Sequence, residues 1–481
     1  MTQASKWAVT LAILGILGWL PGSAALAQEP TGSEFQVNTY TPGDQGYPGV
    51  CRTASGDTIV VWEGGEVDGD TRGVFAQRYD DGGAAIGGEF QVNSYTVDQQ
   101  QFPAVTCNAE GFVIAWESRD QDGDAYGVFA QRFAADGSRQ GAEFQVATQT
   151  VERQLGVALC SAEDGAFVVS WQSYEQDGEG SGVFAKRFGS DGAAVGGEFQ
   201  VNSYTPASQG FPATACDTTG DFVVAWHSDG QDGDTYGVFG QRFASGGAPQ
   251  GTEFQVNTYT AYYQQLPAIA IGRTGDFVVA WESYDYQDGD SSGVFAQRFG
   301  SDGQPEGEEF QVNTYTSFSQ EAPQVATAAN GDFIIAWSSG QDGDGYGVFG
   351  QRFGQDGSRH GGEFQANTYT VADQGAFFAL GRVLGVAPGP NGDFVVVWQS
   401  TEVGGGQDGY GMGVFGQRFA APCIGDIDFN GRVSIDELIR GTLAALDQVP
   451  VGDAAAFDSD GNGEVAIDEL VTGVGSSVNG C

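Results

Sequence analysis

Two twelve-residue segments near the C-terminus carry oxygen-bearing side chains at the spacing of a calcium-binding loop. DIDFNGRVSIDE spans 426–437 and DSDGNGEVAIDE spans 458–469. Acids or amides stand at positions 1, 3 and 5, glycine at position 6 allows a sharp turn, and glutamate at position 12 can bind through both oxygens. The sequence therefore predicts two Ca²⁺ sites. The expected ligands are Asp426, Asp428, Asn430, the Arg432 carbonyl, Ser434 and Glu437 in the first loop, and Asp458, Asp460, Asn462, the Glu464 carbonyl and Glu469 in the second.

Each loop leads into a helical pattern, predicted over Ile435–Leu446 and Ile467–Val474. Val433 and Val465 occupy position 8, where we expect them to pair the two loops. Ala466 offers no oxygen at position 9, so a water molecule is expected there. Because the ligands are acids, amides and carbonyls, calcium binding should contribute directly to the folding of this segment.

The segment 423–481 resembles a dockerin, a pair of EF-hand-type loops whose first loop has no entering helix. Pro422 and Cys423 precede the first loop so closely that an entering helix does not fit. The resemblance implies a small α-helical calcium-binding domain and a cohesin-like or cell-surface protein partner. Glu437 and Glu469 depart from the pattern, since dockerins usually have Asp there.

A second acidic motif, of the type QDGD, recurs earlier in the chain and also looks like part of a metal site. It varies between copies, as VDGD at Val67, QDGE at Gln176 and QDGY at Gln407, and it lacks an acid at position 12. It lies between two apolar runs, where Asp-Gly commonly forms the turn between antiparallel strands. We predict a strand-to-strand turn and not a metal site.

Three sequence elements repeat seven times with a period of 54 to 56 residues, and such a period outranks any local motif. EFQVN-type segments begin at Glu34, Glu89, Glu143, Glu198, Glu253, Glu309 and Glu363. FVVAW-type segments end at Trp62, Trp116, Trp171, Trp226, Trp281, Trp337 and Trp398. VFAQRF-type segments follow Gly73, Gly127, Gly182, Gly237, Gly293, Gly347 and Gly413.

Each repeat contains four strand-like segments in the order PAVA, FVVAW, VFAQRF and EFQVN, separated by turn residues. FVVAW is apolar on both faces and must be covered on both sides. EFQVN alternates, and in the fifth copy Glu253, Gln255 and Asn257 are expected to face outward. This gradient favours a mainly β fold over 34–420, a seven-bladed β-propeller with four antiparallel strands per blade.

The chain enters the propeller with an EFQVN segment and leaves it after a VFAQRF segment. We therefore expect Glu34–Asn38 to supply the outer strand of the last blade and to close the ring. The repeated segments resemble those of large exported bacterial proteins with the same tandem units, over Glu34–Phe419. That resemblance implies a shared fold and little about biochemistry.

The first residues are typical of a signal peptide spanning 1–27. Lys6 precedes an apolar run, Trp7–Leu20, and the small-residue segment ends at Ala25-Leu26-Ala27. We expect a secreted protein, and no later apolar stretch is long enough to insert into a membrane. Six cysteines in an exported chain indicate disulfides. Cys423 and Cys481 are the candidate pair, and the pairing of Cys51, Cys107, Cys160 and Cys216 stays open.

The charge balance excludes some classes of function. The chain has 63 acidic and 19 basic residues, a net charge of −44, which repels nucleic acid and anionic lipid. Hydrophobic residues make up 40% of the chain, so a packed core is expected despite this charge.

Catalysis is not expected from the sequence. The two histidines, His227 and His360, lie in single repeats and look like solvated loop residues, and no pair of acids stands out from the repeated positions. The sequence favours a secreted, non-catalytic calcium-binding protein with a propeller scaffold and a calcium-folded docking tail.

The alternative is a carbohydrate-binding or polysaccharide-degradation-associated propeller attached through the dockerin-like tail. Loops after FVVAW and after EFQVN should share one face, which would carry the QDGD acids and a ring of tyrosines able to bind a glycan. Wedging of each tyrosine between blades is the competing interpretation. The tyrosines are Tyr40, Tyr95, Tyr204, Tyr259, Tyr315 and Tyr369.

Overall fold

The structure, a computed structural model, describes residues 28, 30–65, 69, 71–284, 286–375, 383–401, 407–409, 411–421, 426, 433–445, 456–457, 465–466 and 469–473. The chain separates into two compact units, Glu29–Pro422 and a unit that contains Cys423–Gly480. Within the described residues, no helix combines the length and apolar character needed to cross a membrane. The predicted signal peptide, residues 1–27, lies outside the described residues.

The first unit is a seven-bladed propeller with four antiparallel strand positions per blade, as predicted. The chain enters through β1 (Phe35–Gln36). Blade 1 contains β2 (Gln45–Arg52), β3 (Thr58–Gly65), β4 (Arg72–Tyr79) and β5 (Ala85–Gln91). Blade 2 contains β6 (Gln100–Cys107), β7 (Gly111–Arg119), β8 (Tyr126–Ala134) and β9 (Arg139–Gln145). Blade 3 contains β10 (Gln154–Ser161), β11 (Phe167–Tyr174), β12 (Ser181–Phe188) and β13 (Phe199–Gln200).

The next three blades follow the same order. Blade 4 contains β14 (Gln209–Cys216), β15 (Phe222–Asp229), β16 (Tyr236–Phe243) and β17 (Phe254–Gln255). Blade 5 contains β18 (Gln264–Ile271), β19 (Phe277–Tyr284), β20 (Ser292–Phe299) and β21 (Phe310–Gln311). Blade 6 contains β22 (Gln320–Thr327), β23 (Phe333–Ser339), β24 (Gly347–Phe353) and β25 (Arg359–Gln365).

Blade 7 joins the two ends of the propeller. It contains β26 (Asp373–Gln374), β27 (Leu384–Pro388), β28 (Phe394–Thr401) and β29 (Met412–Phe419). Both β26 and β27 pair with β28, and β1 pairs with β29 in the register Phe35 opposite Gly416. The predicted closure of the ring by the first EFQVN segment is confirmed.

The core of the propeller lies between blades. The seven FVVAW tryptophans are all at most 1% exposed, because each second strand is covered by a neighbouring blade on either side. One layer packs Ile59 and Val61 of blade 1 against Phe112 and Trp116 of blade 2. The arginines of the VFAQRF segments form hydrogen bonds across the same interfaces. Arg242 Nη1, for example, donates to the Asp302 carbonyl at 2.7 Å.

Two disulfides join the inner strands of neighbouring blades, and these are the pairings that the sequence left open. Cys51 bonds to Cys107 between blades 1 and 2, and Cys160 bonds to Cys216 between blades 3 and 4. They agree with an extracellular protein. The other candidate pair, Cys423 and Cys481, lies outside the described residues.

The second unit contributes two short helical segments to the described residues. One is α1 (Ile435–Ala445) and the other spans 469–473. Both lie within the ranges where the calcium-loop spacing placed a helix, and residues 446, 467–468 and 474 of those ranges lie outside the described residues. Two short helices do not establish a complete domain with two EF-hand-type loops, so the coarser description, a propeller with a short helical tail, is the one that the structure supports.

Candidate functional site

The QDGD segments are turns between the second and third strands of the blades, as predicted. In blade 4 the turn joins β15 to β16, and Asp234 Oδ2 accepts the backbone N–H of Tyr262 at 3.0 Å. Asp290 does the same for Phe318 at 3.2 Å. The acids thus hold the loop that leads into the next blade. We call the face formed by these turns and the blade-to-blade loops the QDGD face.

The EFQVN glutamates form hydrogen bonds between neighbouring blades on this face. Glu253 Oε2 accepts the Ser203 backbone N–H at 2.6 Å and the Ser203 hydroxyl at 2.9 Å. Glu309 makes the same two contacts with Thr258. The other carboxylate oxygen accepts from the glutamine of QDGD, as Glu309 does from Gln287 at 2.6 Å. These repeated acids therefore have structural partners.

The EFQVN asparagines point inward, and the predicted outward position of Asn257 is wrong. Asn257 is 3% exposed, its Oδ1 accepts the Val238 N–H at 2.7 Å, and its Nδ2 donates to the Tyr259 carbonyl and to Gln264 Oε1. The alternation fails because β17 ends at Gln255, so the chain turns before the asparagine.

The repeat tyrosines are neither fully buried wedges nor free rings. Tyr40 is 38% exposed, and the other five are partly exposed. Several of their carbonyls accept the asparagine Nδ2 of the same repeat, as Tyr204 does from Asn202 at 2.8 Å. The backbone of this position thus has a structural role in every copy that keeps the asparagine.

His227 is a buried strand residue, so the expectation of a solvated loop histidine is wrong. It follows Trp226 within β15 and is 7% exposed, because the strand continues past the tryptophan into the closed inter-blade layer. Burial lowers the pKa of His227 to about 4. Its Nδ1 has no hydrogen-bond partner within the described residues.

His360 is likewise not a turn residue. It lies in β25, is partly exposed, and its Nδ1 is 3.9 Å from an Asp332 carboxylate oxygen. Partial burial lowers the pKa of His360, and the neighbouring carboxylates oppose that shift.

A row of aromatic rings runs outward from the axis beside His227. The His227 ring lies 5.0 Å from the Phe211 ring and stacks on Tyr236 at 4.6 Å. Tyr236 lies 5.5 Å from Tyr263, which meets Tyr284 edge-on at 6.4 Å. Phe211 also lines the central cavity of about 190 Å³ enclosed by the inner strands. We call these five residues the aromatic row.

The residue after each FVVAW tryptophan forms a ring around the axis on the QDGD face. Its members are Glu63, Glu117, Gln172, His227, Glu282, Ser338 and Gln399. Most of the carboxylates and amides reach across to the next inner strand, as Gln172 Oε1 does to the Phe211 N–H at 3.0 Å and Glu117 Oε1 to the Gly156 N–H at 2.7 Å. Since Gln172 makes this contact, a negative charge is not needed for it.

Glu63 has a cationic partner in this ring. Its Oε1 is 2.6 Å from Arg72 Nη1, and burial nevertheless raises the pKa of Glu63 to about 7.

Glu282 differs from Glu63 because the charged group that perturbs its pKa is a second carboxyl, that of Glu321. Glu282 is 1% exposed, and its Oε2 lies 3.4 Å from the backbone N–H of Ala322, the residue after Glu321. Glu321 is 7% exposed and accepts the Tyr346 hydroxyl at 3.1 Å. Within the described residues, neither carboxylate forms an ion pair. We call Glu282 and Glu321 the carboxyl pair.

Burial raises the pKa of Glu282 well above its usual range, and the negative charge of Glu321 adds to that shift. Burial also raises the pKa of Glu321, although the Tyr346 hydroxyl opposes the shift. Two buried carboxyls without a counterion cannot both ionise at little cost. Burial therefore favours the protonated, uncharged form of Glu282, and a neutral Glu282 removes its repulsion of a charged Glu321.

Exposed aromatic side chains gather on the loops around blade 5. Tyr262 and Tyr263 precede β18 and are 49% and 40% exposed, Tyr286 follows β19 and is 66% exposed, and Phe318 precedes β22 and is 63% exposed. Among the described residues, the one other aromatic side chain with comparable exposure is Tyr40. We call these four residues the aromatic platform.

Three platform residues are held in a backbone conformation that bulky side chains rarely adopt, and Tyr286, with φ of 77°, is one of them. Tyr262 has φ of 61° and Phe318 has φ of 60°, in the left-handed region. The equivalent residues of other blades include Gly43, Ala207 and Ala372. An aromatic residue is not required for this turn, because Ala207 and Ala372 adopt the same backbone conformation with φ of 59° and 56°.

The described part of the tail is compatible with the predicted calcium loops. Glu437 Oε2 accepts the Ser434 N–H at 2.6 Å, and Glu469 Oε2 accepts the Ala466 N–H at 2.8 Å, so position 12 contacts position 9 in both loops. Both glutamates are buried. Such buried carboxylates, bonded alike in two loops, are hard oxygen donors that suit Ca²⁺.

Other predicted features of the tail are only partly visible. Asp426 is fully buried, and Val433 and Val465 share an apolar cluster with Phe457. The remaining predicted ligands, Asp428, Asn430, Arg432, Asp458, Asp460, Asn462 and Glu464, lie outside the described residues.

Sequence reasoning missed the carboxyl pair and the aromatic platform. The signal was present as departures from the repeat: Glu321 stands where other blades have Gly46, Gln101 or Leu155, and Tyr262 and Phe318 stand where they have small or polar residues. The register that places Glu321 directly opposite Ser338, and the loop contacts that gather the platform, come only from the structure.

Comparisons with known proteins report likeness of fold. No family model matches the chain, and no curated protein matches it either. The Penicillium chrysogenum α-L-arabinanase complexed with arabinobiose is similar at 12% identity and a TM-score of 0.44, covering 64% of this chain and 94% of that one. The phage phi92 endosialidase is similar at 10% identity and a TM-score of 0.45, covering 82% of this chain and 69% of that one.

A third similar structure is the β-propeller domain of the Trilobed protease from Pyrococcus furiosus. It shares 8% identity at a TM-score of 0.42, covering 75% of this chain and 90% of that one. What the three share with this chain is the propeller architecture.

The expectation that the protein is not an enzyme is wrong. It rested on the repeats, because in the sequence no pair of acids stands apart from the repeated positions. The matched structures include arabinanases and another family-43 glycoside hydrolase. The ground for that expectation is also wrong, because in this chain Glu282 and Glu321 are set apart from the repeated acids by their surroundings.

Proposed function

We propose that this protein is a carbohydrate-active propeller that binds a glycan on the QDGD face of blades 4 to 6. The observation that carries the proposal is the aromatic platform. Its four exposed rings stand on loops around one blade, on the same face as the ring of polar residues around the axis. Aromatic faces bind the apolar C–H surface of sugar rings, while carboxylates and amides bind the hydroxyls.

The aromatic row supports the same location. It leads from the platform residue Tyr263 inward to Phe211 at the central cavity. His227 in this row has an Nδ1 without a hydrogen-bond partner in the described part of the chain, and a bound hydroxyl would satisfy it. The site thus offers stacking surfaces at the rim and polar groups nearer the axis.

A binding assay on the full secreted chain tests this proposal. We expect the protein to bind one or more glycans of an array, and Phe318→Ala and Tyr286→Ala each to weaken binding about fivefold, equivalent to about 1 kcal/mol for one aromatic contact. Tyr40→Ala is the matched control, because Tyr40 is an exposed repeat tyrosine outside the platform. Absence of binding across the array, or equal losses in all three variants, would contradict the proposal.

We propose in addition that the C-terminal tail binds two calcium ions and then docks the propeller to a cohesin-like or cell-surface protein. The equal contacts of Glu437 with Ser434 and of Glu469 with Ala466 support this. When bound, calcium would neutralise the buried carboxylates of the two loops. The residues that would hold it are the predicted ligands, from Asp426 to Glu437 and from Asp458 to Glu469.

Calorimetric titration with CaCl₂ tests the metal proposal. We expect two ions per chain, and loss of one of them in Glu437→Gln and of the other in Glu469→Gln, because an amide offers one ligand oxygen where the carboxylate offers two. Glu308→Gln, an exposed glutamate of the propeller, is the control. Uptake that is unchanged in both tail variants would refute the assignment.

A further inference from the structure

The structural contacts that Glu282 and Glu321 make do not require charged side chains. Glu282 makes the inter-blade contact that Gln172 makes in blade 3, where no charge is involved. Glu321 occupies the position of Gln101 in blade 2. Glutamine would therefore serve at both places without the cost of burying two carboxyls that lack a cationic partner in the described structure.

A second observation is a buried hydroxyl beside the pair. Ser338 lies directly opposite Glu321 in the ladder of β22 and β23, so the two side chains share a face of the sheet. Ser338 is 0% exposed, and its hydroxyl has no hydrogen-bond partner among the described residues. A polar group bound between blades 5 and 6 would satisfy this hydroxyl.

The pair and two residues of the aromatic platform belong to the same ends of the same strands. Tyr286 and Phe318 stand on loops that flank strands β19 and β22, and these strands carry Glu282 and Glu321 near the same ends. Tyr346, half-buried at the start of the third strand position of blade 6, donates its hydroxyl to Glu321. A glycan stacked on the platform would thus bind at the end of the blades that carries the two carboxyls.

We propose that Glu282 and Glu321 are the catalytic acid and base of a glycoside-hydrolysing site between blades 5 and 6. The substrate class is a neutral glycan, since a net charge of −44 and a face rich in aspartate repel uronic-acid polymers. This inference rests on the proposed glycan binding and adds a reaction to it.

The reaction consumes one water molecule. The protonated carboxyl gives its proton to the glycosidic oxygen, and the bond between that oxygen and the anomeric carbon breaks with its electron pair remaining on the oxygen. The ionised carboxylate takes a proton from water, and the water oxygen forms a bond to the anomeric carbon. The pair ends with its proton exchanged between the two carboxyls, no atom is oxidised or reduced, and proton exchange with solvent restores the starting state.

The experiment measures the release of reducing ends and binding on the same polysaccharides. The probes are arabinan, xylan, galactan, mannan and β-glucan, with polygalacturonate as the anionic comparison. The wild-type full chain is compared with Glu282→Gln, Glu321→Gln and, as matched control, Glu117→Gln. The glutamines already present at the equivalent positions in blades 2, 3 and 7 make folding of the two test variants expected, and circular dichroism and thermal unfolding verify it.

We expect the wild-type protein to release reducing ends from at least one neutral polysaccharide, with a bell-shaped dependence of rate on pH. Each test variant should lose at least about 100-fold in rate, the scale of one acid or base group, while still binding the polymer. Each should also lose one limb of the pH profile, which damage to the fold alone would not do. The control should keep its rate within about twofold.

Two results overturn the inference and are distinguishable. If the wild-type protein binds a neutral polysaccharide and releases no reducing ends, the carboxyl pair is not catalytic and the proposed glycan binding stands. If the test variants hydrolyse at the wild-type rate, the activity belongs to other residues. If no polysaccharide is bound at all, the proposed function itself fails.

Discussion

At the scale of single residues, most of the repeated side chains hold blades together, and their exceptions are informative. Asn93 Oδ1 accepts the Val74 N–H at 2.9 Å, and its Nδ2 donates to Gln100 Oε1 at 3.0 Å. The next repeat has Ala147 at this position, and Gln154 Oε1 there is buried without a partner within the described residues. An unsatisfied buried acceptor costs stability.

Ala147→Asn should therefore stabilise the propeller. We expect the free energy of unfolding to rise by about 1 to 2 kcal/mol, because the new amide can donate to Gln154 and accept from the Val128 N–H. Asn93→Ala should lower it by a similar amount. Urea unfolding followed by tryptophan fluorescence measures both. A neutral or destabilising effect of Ala147→Asn would show that the loop of this repeat does not accept the common contact.

His227 should make stability fall in mild acid. Its pKa is about 4 in the folded protein and about 6.5 when unfolded, so between these values the unfolded chain binds more protons. The contribution of neutral His227 is present above pH 6.5 and is lost as the pH falls toward 4, by about 3 kcal/mol in all. The raised pKa of Glu63 acts in the opposite direction between about 4.5 and 7.

The variant His227→Gln isolates this effect, because glutamine occupies the same ring position in blades 3 and 7. We expect the difference in unfolding free energy between wild type and variant to shift by about 3 kcal/mol between pH 7.5 and pH 4, in favour of the variant at low pH. A constant difference across that range would show that His227 is accessible to protons in the folded state.

At the scale of elements, the closure of the ring depends on a two-residue strand and its neighbours. β1 pairs with β29, Val37 is 1% exposed, and Asn38 Oδ1 accepts the Val414 N–H at 2.8 Å. Glu34 Oε2 accepts the Thr368 N–H at 2.6 Å, and so forms between the chain ends the hydrogen bond that the other EFQVN glutamates form between neighbouring blades.

Removing this closure should destabilise the whole propeller. Glu34→Ala is expected to lower the free energy of unfolding by about 2 kcal/mol through loss of its charge-assisted hydrogen bonds. Deletion of 34–38 should cost more, because it also exposes the layer that covers Val37. Glu308→Ala, on an exposed stretch before an equivalent strand, should change it by less than about 0.5 kcal/mol. Equal melting temperatures for wild type and deletion would contradict closure by β1.

At the scale of the whole molecule, function is expected where the sevenfold pattern is broken. Each of the seven similar blades buries the same tryptophan and repeats the same hydrogen bonds to its neighbours. These shared features account for the stability of the propeller and for little of its function. Blade 5 and its junction with blade 6 differ, with four exposed aromatic side chains in their loops and two buried carboxyls in their strands. In a repeat protein, a residue that departs from the repeat is therefore a better guide to function than a residue that every blade shares.

The tail adds a second region with its own chemistry. Its predicted calcium ligands follow from local spacing within twelve residues, and its described glutamates contact their own loops. We therefore treat calcium binding as a property of the tail, separate from the QDGD turns, whose acids hold neighbouring loops of the propeller.

The sequence by itself determined the seven blades, their four strand positions, the closure by Glu34–Asn38 and the turn role of QDGD. These follow from periodicity and alternation, which are local properties of the chain. Only the tertiary structure decided that Cys51 pairs with Cys107, that Asn257 and His227 are buried, and that Glu282 reaches the neighbour of Glu321. Those facts depend on which blades lie side by side and on how the strands register across their interface. The pKa of a buried group and the exposure of an aromatic ring are determined by that packing and not by the residue type.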